Sequence, residues 1–299
     1  SPDLQFTTPV FANTNQIDYA GAAPAVVVRS GTPHEGVGSE GHDGSTLAWS
    51  DDGGRRWKPL GRPRPASGET PILADNPRMD LYRDAPIAVS ADGATFVLAT
   101  PQVVRSRDRG LSWKPCVGLP PLLRPVADRR AAQPFYAFDF RTGQWFVSVD
   151  GAESFARVPS RGLPAASAAD RPTWREQAFP LKATPGHDGD LWYVSRAGLY
   201  NSRDGGQTFD RIDGGLTVEM LDFGKPPSGQ IYPALFAIGA RGAVRGVFRS
   251  DDRGRNWIRV NDDQHEYGRR YRAIAGDPRI FGRVYVATDG RGVVYGEPT

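Results

Sequence analysis

Short apolar runs of four to six residues, set between glycine- and aspartate-rich turns, recur along the chain, and no long stretch repeats at the 3.6-residue helical period. Ala25-Val26-Val27-Val28-Arg29 has the continuous apolar character of a buried strand. Pro86–Ala99 predicts a hairpin turning at Asp92-Gly93, and Phe135–Asp139, Asp190–Val194 and Ala234–Ile238 predict further strands. Arg283–Tyr295 predicts another hairpin. Residues 1–20 read as a loop entering a strand, and residues 61–84 as a proline- and arginine-rich connection.

The turns repeat as well. Ser202-Arg203-Asp204-Gly205-Gly206-Gln207-Thr208-Phe209 places an aspartate at +2 from a serine, a glycine at +4 and an aromatic at +7. The same spacing occurs at Ser50/Asp52/Gly54/Trp57, Ser106/Asp108/Gly110/Trp113 and Ser250/Asp252/Gly254/Trp257. Ser148/Asp150/Phe155 is a degenerate copy with Ala152 in the glycine slot. Such Asp-box hairpins, each preceded by an apolar run, imply repeated small sheets. The pattern predicts an all-β chain, a β-propeller of four-stranded blades, each pairing a plain inner hairpin with a boxed outer one. Five clear blades and partial material at both ends fit part of a seven-bladed ring, read as one domain over residues 1–299.

Composition supports this and narrows the chemistry. Thirty-five glycines and 26 prolines argue against a helical fold, while 39% hydrophobic residues suffice for a core. The net charge of +3 comes from 33 arginines and four lysines interleaved with aspartates, a pattern of solvated strand faces and not a clustered nucleic-acid surface. No apolar run approaches the ~20 residues of a membrane span. Cys116, the one cysteine, reads as a small apolar filler. The start, Ser1-Pro2-Asp3-Leu4, is neither a signal peptide nor an initiator methionine, as expected of a processed or partial polypeptide.

Several chemistries are set aside. His34, His42, His187 and His265 lack paired metal-ligand spacing, and no serine sits in a Gly-x-Ser-x-Gly elbow. Gly36–Gly41 matches a dinucleotide fingerprint, but a strand pattern follows where a helix is needed. No metal and no cofactor are expected. The box aspartates repeat five times, which suits a fold role, since a reaction needs one pair. Trp49, Trp145 and Trp192 lie in strand patterns and read as core. Trp174, in a loop, is a candidate sugar platform. The loop Asp262–Tyr267 offers Gln264, His265 and Tyr267 to sugar hydroxyls, or else is a solvated turn whose aspartates pair with Arg269, Arg270 or Arg272.

Pro185–Trp192, Phe223-Gly224-Lys225, Tyr232–Gly239, Gly246–Asp252, Asn261–Gly268, Gly276–Arg279 and Gly290–Gly296 together resemble glycoside hydrolase family 74, the xyloglucan-cleaving endoglucanases. The resemblance implies two seven-bladed propellers with the β-1,4-glucan in the cleft between them, and inversion by two aspartates, one from each. This chain resembles most of the second propeller, so a companion N-terminal propeller, on the same or another chain, is the expected partner and xyloglucan the expected substrate. A secreted or periplasmic location follows by the same analogy. Gln16-Ile17-Asp18-Tyr19-Ala20 matches the family's segment carrying the general acid. Asp18 is therefore the candidate acid, with Ile17 and Tyr19 as apolar wall and Tyr19 a substrate contact. Gly21 stands where the family commonly has an acidic residue. The alternatives are an aspartate capping a strand-end turn, and a non-catalytic propeller that binds glycan or protein. A sialidase is disfavoured, because Arg279-Ile280-Phe281 is the nearest approach to an Arg-Ile-Pro signature and stands at the wrong end of the chain.

Overall fold

The computed structural model describes residues 11–33, 47–61, 63, 72–73, 76–80, 85–165, 179–265, 271–290 and 292–298. Among them every regular element is a strand, apart from one turn of 3-10 helix at Asp263–His265. The strands form six successive antiparallel sheets of propeller-blade type, paired in chain order. Blade 1 comprises Phe11–Tyr19, Val27–Pro33, Leu47–Ser50 and Lys58–Pro59. Blade 2 comprises Ile87–Val89, Phe96–Leu98, Val104–Ser106 and Lys114–Pro115. Blade 3 uses Val126–Ala127, Phe135–Asp139, Gln144–Ser148 and Ala156–Val158, and blade 4 uses Leu181–Ala183, Leu191–Ser195, Gly198–Ser202 and Asp210–Ile212. Blade 5 comprises Thr217–Gly224, Ala234–Arg241, Val244–Ser250 and Ile258–Arg259. Blade 6 has three strands among the described residues, Tyr271–Gly276, Val284–Thr288 and Val293–Gly296. Within the connection expected over residues 61–84, Ile72–Leu73 and Asn76–Asp80 pair as a small hairpin.

The chain divides into two compact units, Ser1–Asp139 with Trp145–Val158, and Phe140–Gln144 with Pro159–Thr299. In the first, Val28, Leu47 and Ala20 of blade 1 pack against Ile87, Val89 and Phe96 of blade 2. Ala88, Val97 and Cys116 of blade 2 pack against Phe135, Ala137 and Phe146 of blade 3. In the second, Trp192 and Leu199 of blade 4 meet Leu221 and Phe248 of blade 5, and Phe236 and Ile238 of blade 5 meet Ile274 and Val286 of blade 6. Strands covered on both faces explain why their sequences are continuous apolar runs with little alternation. Trp145 and Trp192 are fully buried, as expected of core residues. Trp49 is only partly buried, held between the Lys58 ammonium and the Arg109 guanidinium at 4.6 and 4.7 Å. Cys116 is buried, and burial pushes its thiol up to about 12, so it is an inert filler.

All five serine–aspartate turns, one between the third and fourth strands of each of blades 1–5, share one wiring. The serine Oγ donates to the aspartate Oδ1 at 2.7–2.8 Å and accepts the N–H four residues on at 2.8–3.0 Å. The same Oδ1 also accepts an N–H, from Arg56, Ser112, Ser154, Thr208 or Asn256. Four of those residues also donate from the side chain to Oδ2. The Ser112 bonds and the Ser106 hydroxyl hold Asp108 down at about 2. The two residues after each aspartate both lie at positive φ, which is why glycine fills most of these slots.

The arginines differ from a purely solvated set. Arg129 stacks on Tyr19, Arg245 on Tyr271, Arg249 on Phe281 and Arg253 on Tyr232, at 4.0–4.9 Å. A planar guanidinium can cover a ring while its edge keeps a forked set of bonds to carboxylates or carbonyls.

Candidate functional site

The first strands of blades 1, 2 and 3 lie side by side, and their C-terminal ends meet at Asp18. Asp18 is the penultimate residue of its strand, is buried, and sits in regular register opposite Val28. Its Oδ2 accepts the N–H of Val89, the last residue of the first strand of blade 2, at 2.9 Å. Its Oδ1 accepts from Arg129 Nη2 at 2.6 Å. Arg129 Nη1 donates to the Tyr19 carbonyl, also at 2.6 Å, and the guanidinium covers the Tyr19 ring. Arg124, half-buried, adds a second positive charge acting on Asp18. Burial lowers its guanidinium to about 10 and Asp18 partly offsets this, so it stays cationic at neutral pH.

Arg129 is placed by its neighbour. Asp128 directly follows the first strand of blade 3 and is fully buried, and its Oδ1 accepts the N–H groups of Arg130 and Ala131 while Oδ2 accepts from Tyr136 Oη. This turn recurs in blade 6, where Asp277 accepts from Arg279 N, Ile280 N and Tyr285 Oη. The Asp-to-Tyr spacing of eight residues is common to both, a second repeat that reasoning from the serine–aspartate turns alone passes over. On the other side of Arg129, a Cβ on Gly21 would come within 1.9 Å of the Arg129 carbonyl oxygen. A side chain cannot follow Ala20 here, and that accounts for the glycine in a place where an acidic residue is expected.

Ile17 is 56% exposed and provides no wall for Asp18, contrary to expectation. Tyr19 is 41% exposed, with its ring under Arg129. Gln264 and His265 lie in an exposed turn organised by Asp262, whose Oδ1 accepts Gln264 N, His265 N and His265 Nδ1 at 2.6–2.9 Å. Those bonds, the His265 ring first, hold the Asp262 carboxyl below the usual range. Asp263 pairs with Arg259, and Arg272 pairs with Asp289. Trp174, Tyr267, Arg269 and Arg270 lie outside the described residues, as does Gly36–Gly41. Among the described residues no three His, Cys, Asp or Glu side chains are grouped to hold a metal, and no helix is long and apolar enough to cross a membrane.

The motif Pro185–Trp192 belongs to a buried network between blades 4 and 5. Asp190 Oδ1 accepts from Thr184 Oγ1, Tyr232 Oη and Asn201 Nδ2 at 2.6–3.0 Å, and Trp192 Nε1 donates to Tyr232 Oη at 2.8 Å. Burial, then the Asp190 charge, pushes the Tyr232 phenol well above its usual range, so it stays a neutral donor. His187 packs against the Tyr232 ring with centroids 4.8 Å apart.

No family model matches the chain. The xyloglucanase Xgh74A of Acetivibrio thermocellus is 36% identical over 297 residues, which is 97% of this chain and 31% of that protein. An oligoxyloglucan-reducing end-specific xyloglucanase of Emericella nidulans is 33% identical, with 99% of this chain and 37% of that protein covered. The crystal structure of the family 74 xyloglucanase from Xanthomonas campestris matches with a TM-score of 0.75 at 34% identity, over 99% of this chain and 38% of that one. The chain therefore spans well under half the length of these relatives. In sequence and fold the chain is similar to the C-terminal propeller part of glycoside hydrolase family 74 xyloglucanases.

Proposed function

We propose that this chain is the second-propeller part of a secreted or periplasmic glycoside hydrolase that cleaves the β-1,4-glucan backbone of xyloglucan by inversion, with Asp18 as its catalytic carboxyl. Residues 1–299, with their Asp-box turns, form a single propeller domain that is part of a seven-bladed ring, and a companion N-terminal propeller supplies the second aspartate. The observation that carries the reading is the setting of Asp18: a buried carboxyl in the family's acid-bearing segment, held by groups from blades 2 and 3. In an inverting reaction the two carboxyls stand ~6.5–9.5 Å apart with a water between one of them and the anomeric carbon. Asp18 gives its proton to the leaving glycosidic oxygen while the companion carboxylate takes one from the attacking water.

The geometry sets a condition on that step. Each Asp18 oxygen already accepts one bond, Oδ2 from Val89 N–H and Oδ1 from Arg129, so the proton to be donated has to sit on the remaining lone pair of one of them, with Arg129 kept in place. Tyr19, Trp174, Gln264, His265 and Tyr267 are assigned to sugar contact in this reading. The bonding of Asp18 to blades 2 and 3 equally favours a second reading, in which Asp18 ties blades together in a propeller that binds glycan or protein without cleaving it.

Asp18→Asn in the full-length protein separates the two. The hydrolytic reading expects release of reducing ends from xyloglucan to fall by about 10²–10⁴-fold with polysaccharide binding retained. Unchanged turnover in this variant removes Asp18 from the mechanism.

A further inference from the structure

The strongest feature that the reaction scheme above leaves without a task is Arg129. It reaches Asp18 from a different blade, across 111 residues of sequence, and makes one contact to Asp18 and two to Tyr19. One guanidinium nitrogen holds Oδ1 at 2.6 Å, another holds the carbonyl of the next residue, Tyr19, at 2.6 Å, and the plane covers the Tyr19 ring at 4.9 Å. The backbone beneath it is fixed on both sides, by the Asp128 turn bonded to Tyr136 and by the fit of the Arg129 carbonyl against Gly21. The Arg129 side chain is 15% exposed and that of Asp18 8% exposed, so little solvent competes for the pair.

We propose that Arg129 is a positioning residue for the hydrolytic reaction, fixing the aim of the Asp18 carboxyl relative to the bound glucan. The inference rests on the assignment of Asp18 as a catalytic carboxyl. Val89 N–H and Arg129 approach opposite oxygens, so together they remove rotation about the bond carrying the carboxyl. A carboxyl fixed from two neighbouring blades meets the demand that reacting atoms be held within about half an ångström of the productive geometry. The two bonds to Asp18 Oδ1 and Tyr19 O need a forked donor, and this is why the residue is arginine and not lysine.

The test is steady-state hydrolysis of xyloglucan by the full-length protein carrying Arg129→Ala, Arg129→Lys or Gly21→Ala. Arg129→Ala is expected to lower kcat about 10–100-fold with KM changed less than about threefold, the signature of lost alignment and not of lost binding. Arg129→Lys restores part of kcat, because an ammonium can reach one of the two acceptors but not both. Added guanidinium ion restores part of the activity of Arg129→Ala. Gly21→Ala keeps every charged group, displaces the Arg129 backbone, and is expected to lower kcat in the same direction.

Arg245 serves as the control, being also an arginine stacked on a tyrosine and paired with a carboxylate, Glu219. Arg245→Ala is expected to lower stability with kcat unchanged. If Arg129→Ala lowers activity only in proportion to lost folded protein, or raises KM at constant kcat, the positioning role is overturned. If Asp18→Asn is itself fully active, the assignment of Asp18 falls. If Asp18→Asn is inactive while Arg129→Ala has wild-type kcat, the positioning proposal alone falls.

Discussion

At the scale of single residues, the serine–aspartate turns show how the same backbone accommodates different side chains. Gly54 and Ala152 occupy corresponding slots, four residues after the serine, at φ of 85° and 65°. An L-residue in this region costs roughly 1–2 kcal/mol against glycine. At Ala152 the cost is offset by a methyl group buried completely between blades 2 and 3, a gain of about 0.8 kcal/mol. A Cβ added at Gly54 would lie 3.4 Å from the Trp57 ring, an ordinary contact that offers no comparable burial. Gly54→Ala is therefore expected to destabilise by about 1–2 kcal/mol, whereas Ala152→Gly changes stability by less than about 1 kcal/mol. Urea unfolding midpoints of the two variants measure the difference, and equal shifts would refute the argument. This position also shows what sequence reading can reach. The serine, aspartate, glycine and aromatic spacing was legible because all its bonds are local. A further position of the turn, Ser112, Ser154, Thr208 or Asn256, is visible in the sequence too, but Arg56 in the first copy obscures it.

Elements were legible where burial makes continuous apolar runs: Phe135–Asp139 is a strand with the expected bounds, and Asp190–Val194 is off by one residue at each end. What joins elements was not legible, because polar networks assemble residues that are distant in sequence. The Thr184, Asp190, Trp192 and Tyr232 cluster is the case in point. Its residues carry much of the family resemblance, yet their geometry is that of a fully buried tie between blades 4 and 5. Tyr232→Phe keeps the ring under Arg253 but leaves the Trp192 N–H buried without its acceptor and takes one donor from Asp190. The expected cost is about 1–3 kcal/mol of stability. Because the network is structural, kcat on xyloglucan is expected to stay within about twofold of wild type at temperatures where the variant is folded. A loss of kcat beyond tenfold, with circular dichroism and unfolding midpoint both close to wild type, would move this cluster into the active site.

At the scale of the whole molecule, the candidate site was legible only in half. Asp18 stands out in sequence through its flanking residues, but Arg129 does not, since nothing local marks an arginine 111 residues away as its partner. The contrast also bears on what the chain can do alone. An inverting glycosidase needs two carboxyls on opposite sides of the scissile bond. Asp128, the nearest aspartate to Arg129 in sequence, has its oxygens committed to two N–H groups and Tyr136, and the five turn aspartates are committed to their own hairpins. The relatives are about three times as long as this chain, which leaves room for the second carboxyl in a companion segment. Residues 1–299 produced without any companion segment are therefore expected to retain xyloglucan binding, seen as retardation in an affinity gel, while releasing no reducing ends. The chain joined to, or recombined with, the proposed companion propeller is expected to hydrolyse the same polymer. Hydrolysis by residues 1–299 alone, abolished by Asp18→Asn, would place both catalytic groups within this one propeller.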